Sequence, residues 1–130
     1  MFIDSHCHLD FPEFQARLPE VLANMKAAQV EHALCVCVDI PDFPNVLKLA
    51  LEHPYLYASV GVHPDYEDTP EPSYEFLVET ASQYEKIVAI GETGLDYYRM
   101  ADKSYESLEW QRDRFRTHIR AAKNAKKPLI

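Results

Sequence analysis

No stretch of the 130 residues approaches the ~20 consecutive apolar positions that a membrane-spanning helix needs. The opening Met1-Phe2-Ile3-Asp4-Ser5-His6 has neither a basic segment nor a long apolar core, so it does not read as a secretory signal. With no membrane partner and no export signal, the expected location is the cytoplasm. Cysteine is scarce and odd in number: Cys7, Cys35 and Cys37. Cys35 and Cys37 are too close in an extended strand to bridge each other comfortably, and the odd count predicts reduced thiols. Bulk positive charge is lacking as well. The net charge is −8, and it is uneven. Residues 112–127 hold seven Lys or Arg and one acid, while the rest holds six basic and twenty acidic side chains. That balance excludes binding to nucleic acid by bulk electrostatics. An acidic enzyme can still act on phosphates where bound divalent cations invert the local field.

What is present is a globular composition, 47% hydrophobic and 26% charged, of a length that suits one domain over residues 1–130. Strand and helix patterns alternate. Phe2 to His6 reads as a first strand. Pro19 opens a helix striped by Val21, Leu22, Met25 and Ala28. The continuous apolar run Ala33 to Val38 reads as a strand buried on both faces. Phe43, Val46, Leu47, Ala50 and Leu51 share one face of a second helix, and Leu56 to His63 forms a third strand. Ser73 caps a third helix striped by Tyr74, Leu77, Val78 and Ala81. Ile87 to Gly91 is a fourth strand. A fourth helix from about Ser104 to Lys126 turns Leu108, Phe115, Ile119 and Ala122 inward. Pro128-Leu129-Ile130 reads as the start of a fifth strand, cut short. One helix between successive strands predicts parallel strands with right-handed crossovers. An open doubly wound sheet and part of a (βα)₈ barrel both fit.

His6 and His8 are two residues apart, so in an extended segment their rings point to one side. Two imidazoles at the end of a strand make a ligand pair for a divalent metal. Asp4 and Asp10 share their parity and are candidates to orient them. The third strand ends in Gly61-Val62-His63-Pro64 and the fourth in Gly91-Glu92-Thr93-Gly94-Leu95-Asp96. His6, His8, His63 and Glu92 thus all fall at the C-terminal ends of parallel strands, the edge where βα enzymes build active sites. Glu92 follows an apolar strand and would be costly to bury without a partner such as a metal pair. Asp96 reads either as a ligand support or as a loop anchor, and Tyr97 and Tyr98 either pack the loop or stack on a base. His32, His53 and His118 fall away from this edge and read as structural. The basic stretch Arg112 to Lys127 reads as a solvated helix face.

These motifs together resemble the TatD family of metal-dependent deoxyribonucleases. The resemblance is carried by His6-Cys7-His8-Leu9-Asp10, Gly61-Val62-His63-Pro64, the specific run Gly91 to Tyr98, Gln111-Arg112, Phe115 and Lys127 to Ile130, in order along the chain. It implies an amidohydrolase-type TIM barrel, of which residues 1–130 would be the N-terminal half. It also implies two divalent ions (Mg, Mn or Zn) and DNA as substrate. His6 and His8 would ligate one ion, Glu92 would bridge the pair, and His63 would help hold the substrate phosphate. The expected catalytic aspartate and the remaining ligands would lie past Ile130, so this chain alone is expected to be a poor enzyme. Two other readings stand beside it: a related amidohydrolase acting on a small amide or ester, and a non-catalytic half-barrel that self-associates through its exposed edge.

Overall fold

Proline sets the starts of the first three helices. In the computed structural model, which describes residues 1–130, Pro12, Pro19 and Pro44 each fall within the first two residues of a helix. There the missing N–H would have had no partner in any case. The chain order is β1 (Phe2–Cys7), α1 (Pro12–Gln15), α2 (Leu18–Ala27), β2 (Val30–Cys35), α3 (Phe43–Glu52), β3 (Leu56–Val60), α4 (Tyr74–Gln83), β4 (Ile87–Ile90) and α5 (Glu109–Ala125), the last preceded by a 3₁₀ turn at Glu106–Leu108. The Ser73 hydroxyl accepts the Phe76 N–H at 3.0 Å and starts α4, as expected from the sequence. Lys126, in the left-handed conformation (φ 54°), ends α5 just before Pro128.

The four strands form one parallel sheet in the order β1-β2-β3-β4, and Leu129 makes a parallel bridge to Ile90 on the far side of β4. Strand order that follows chain order, with at least one helix in every crossover, is barrel topology; a doubly wound sheet would reverse direction at its middle. The core lies between the sheet and the helices. Ala33, Cys35, Leu56, Ala58 and Ile87 from the strands meet Val46, Ala50, Leu77, Ala81 and Ala121 from α3, α4 and α5.

Several expectations need correction. β2 ends at Cys35, not Val38, and within it burial alternates. Val36, Cys37 and Val38 are buried past the strand's end. The Cys37 N–H goes to the Ser59 hydroxyl (3.0 Å), which interrupts the regular ladder there. Ala28 lies beyond α2 and is exposed, and Leu51 faces out from the last turn of α3. The largest departure is α5. Ile119 is 40% exposed, while Gln111, Arg112, Arg114 and His118 are buried, so the basic stretch is not a simple solvated face. Leu108 and Ala122 do face inward. No helix is long and apolar enough to cross a membrane.

Candidate metal centre

His6 is the next-to-last residue of β1 and His8 follows the strand directly, and both rings turn to the same side. Their centroids are 5.2 Å apart in an edge-on arrangement. Glu92 comes from the other end of the sheet, just after β4. In a flat sheet, strands three places apart would be separated by about 14 Å at ~4.8 Å per strand. Here His6 Nε2 lies 3.3 Å and His8 Nε2 3.8 Å from Glu92 Oε2, and one ligand atom from each of the three residues falls within 4.8 Å of the others. The sheet therefore curls, and its outer strands bring their ends together.

His8 and Glu92 are held from behind. His8 Nδ1 lies 3.0 Å from the Val36 carbonyl, which can only accept, so Nδ1 carries the proton and the Nε2 lone pair faces Glu92. The ring also stacks on Phe11, with centroids 4.7 Å apart. The Glu92 N–H donates to Cys37 O at 2.7 Å, and the Gly91 N–H to Val60 O at 2.9 Å. The Gly91–Glu92 peptide is cis. Glycine is needed at two neighbouring positions. A Cβ on Gly61 would come within 2.5 Å of Gly91 Cα, and one on Gly91, whose φ is 143°, would overlap the Ile130 carbonyl.

His63 joins from the end of β3. Its Nε2 is 3.4 Å from Glu92 Oε1, and its Nδ1 is paired with the Asp65 carboxylate. The two Glu92 oxygens therefore diverge, one toward His6 and His8, the other toward His63. The hydrogen bond from His63, and then its charge, hold the Glu92 carboxyl below its usual range against the cost of burial. The same contact with Glu92, aided by Asp65, raises His63 above the ordinary imidazole value.

A divalent cation suits this donor set. Two imidazole nitrogens, one with its lone pair free, and a carboxylate are mixed N/O ligands of the type zinc and magnesium-like ions accept. The expected supporting carboxylates are placed differently. Asp4 accepts the His6 backbone N–H at 3.0 Å, and Asp96 accepts the backbone N–H and guanidinium of Arg99. Asp10 is buried, its Oδ1 has no partner, and burial pushes its carboxyl up. The hydrogen bond that orients His8 comes from a backbone carbonyl, not from one of these three.

Sequence reasoning passed over Ser59 and Arg114, used Gln111 only within the family resemblance, and read His118 as structural. The buried Ser59 hydroxyl takes the Cys37 N–H and donates to Gly91 O at 2.6 Å, linking three strand ends. Gln111, Arg114 and His118 lie at i, i+3 and i+7, one helix face, and that spacing was the signal available.

A family model for TatD-related DNases matches residues 3–130. The chain belongs to this TatD family. It is 37% identical to the uncharacterized metal-dependent hydrolase YabD of Bacillus subtilis, over all of this chain and 49% of that protein. A metal-dependent hydrolase of Buchnera aphidicola is 39% identical over 98% of this chain and 48% of its own length. The crystal structure of YjjV, a TatD homologue from Escherichia coli, superposes with a TM-score of 0.85 at 32% identity, covering 98% of this chain and 49% of that one. The chain thus spans about half the length of the curated relatives it matches.

Proposed function

We propose that His6, His8 and Glu92 hold divalent cations for the hydrolysis of phosphodiester bonds in DNA. The observation that carries this reading is the convergence of two histidines at the C-terminal end of β1 and a carboxylate from beyond β4 within 4.8 Å. The family's description as related to DNases supports DNA as the substrate, and relatives named metal-dependent hydrolases support the use of a metal. Divalent cations bound here supply Lewis acidity, lowering the pKa of water and offsetting charge that builds on phosphate oxygens.

The chain's own groups have distinct tasks in this reading. The Val36 carbonyl fixes the His8 tautomer, leaving Nε2 as the ligand atom. Glu92 stays ionised near neutral pH because imidazoles face both of its oxygens. Its Oε2, facing His6 and His8, would hold an ion together with them. His63, steadied by Asp65 behind it, offers Nε2 to a phosphate oxygen of the substrate.

Oligonucleotide digestion by a whole protein that carries these 130 residues, stripped with EDTA and then resupplied with Mn²⁺, tests the reading. Cleavage should vanish on stripping, return with Mn²⁺, and fall at least a hundredfold in the His6→Ala, His8→Ala double variant. Metal-dependent turnover of a small amide or ester, with no cleavage of DNA, would reject the nuclease assignment and favour the amidohydrolase alternative.

A further inference from the structure

The buried polar face of α5 is expensive to bury unless its groups are paired, and each of them is. His118, fully buried, accepts the Val62 N–H at Nε2 (3.1 Å), while its Nδ1 lies 2.8 Å from the Arg114 carbonyl. Arg114, 3% exposed, donates to His63 O at 2.9 Å and to Tyr66 O at 2.8 Å, and pairs with Glu71. Gln111, also fully buried, donates to Pro64 O at 2.8 Å. Its carbonyl accepts the Asp96 N–H at 3.1 Å, and its Nε2 makes a long contact of 3.4 Å to Asp96 O. The amide orientation follows from its partners, since an N–H must meet the oxygen and a carbonyl must meet the nitrogen.

Three side chains on one helix face therefore grip four consecutive or near-consecutive backbone groups around His63: Val62 N–H, His63 O, Pro64 O and Tyr66 O. One of them, Gln111, also reaches the loop after β4 that carries Glu92. We propose that Gln111, Arg114 and His118 are positioning residues that set His63 against Glu92, with Gln111 locking the two strand-end loops into one unit. This assignment rests on the reading of His63 and Glu92 as site residues. None of the three touches the reacting groups. They act through the backbone, and their rotamers are fixed by packing in α5, the rigid support that a precise site needs.

Amide hydrogen exchange followed by mass spectrometry and NMR decides the point on the folded protein, without reference to activity. Gln111→Met keeps the volume and removes both bonds. Exchange in residues 62–66 and 93–98 should speed up at least tenfold, while α4 and the body of α5 keep their protection. His118→Gln supplies an amide oxygen where Nε2 stood and should keep the Val62 N–H slow, whereas His118→Phe should release it. In the metal-loaded protein, Gln111→Met should lower kcat/KM for a phosphodiester at least tenfold, with Mn²⁺ affinity read by EPR changing less than threefold. Unchanged exchange in the two loops, or a uniform rise across α4 and α5, would overturn the proposal. So would equal behaviour of the two His118 variants, or equal losses of kcat/KM and Mn²⁺ affinity. If a whole, unsubstituted protein carrying these residues cleaves no phosphodiester, the nuclease reading fails, and the exchange results still judge the positioning role.

Discussion

Three imidazoles in this molecule differ in what faces each ring. His8 gives Nδ1–H to a carbonyl and keeps Nε2 free; His63 sits between two carboxylates; His118 is closed into the protein as a neutral acceptor. The last two carry opposite pH signatures. Burial depresses His118 below its ordinary value of 6.5. Between that depressed value and about 6.5, the unfolded chain binds a proton that the folded chain does not, so stability falls as pH drops through this window. His63 is raised, so its contribution is full below about 6.5 and is lost as pH rises through its folded value. His118→Gln removes only the first effect. Urea unfolding between pH 5 and 7 should show a flatter acid limb in that variant than in the parent; an equally steep limb would refute the assignment. The His6→Ala, His8→Ala variant should stay within about 1 kcal/mol of the parent in metal-free urea unfolding, because the hydrogen bond to Val36 O, the stack on Phe11 and the contacts with Glu92 are lost from a partly exposed site. His6, His8 and Glu92 were legible because period-two spacing and strand ends are local facts. His118 was not, because its partner, the Val62 N–H, lies 56 residues away in sequence.

Elements were legible where their signals were self-contained. Ser73 caps α4 through a bond three residues along the chain, and Ser73→Ala should cost about 1 kcal/mol in thermal or chemical unfolding. A loss below a few tenths would mean that tertiary packing alone sets this helix start. The helix start at Pro19 and the parallel strands were equally readable, whereas the short α1 at Pro12–Gln15 was not anticipated. α5 was misjudged in its facing, since an apolar stripe is normally the buried one. Here the strand-end loops present bare backbone N–H and carbonyl groups to the helix, and side chains with matching polar groups cover them better than Ile119 would. β2 was overextended for a related reason. Its apolar run continues to Val38, but the Ser59 hydroxyl, unforeseeable from the run itself, takes the Cys37 N–H.

At the scale of the molecule, the candidate metal centre joins the first and last strands of the sheet, so a bound ion would act as a clamp. Mn²⁺ at a hundred times its dissociation constant should add about 2.7 kcal/mol to stability, and the His6, His8 double variant should gain nothing, as read by thermal shift across a Mn²⁺ titration. The sheet's outer border poses a separate physical problem. β1 pairs only with β2, and Phe2 and Ile3 are each 63% exposed on it. An edge strand with unpaired N–H and carbonyl groups and large apolar side chains is a template for pairing with another strand. Asp4 is the one charged carboxylate on it, and β1 has no lysine and no proline among its six residues. The 130-residue chain should therefore associate with second copies of itself at micromolar concentration. Light scattering behind size-exclusion chromatography should return a mass above the 15.0 kDa of one chain. Ile3→Lys places a charge on that edge and should return the monomer while leaving the far-ultraviolet circular dichroism unchanged. If the parent chain elutes as a stable monomer at all concentrations, the exposed strand is no docking edge, and its apolar side chains are tolerated by water as isolated surface residues are.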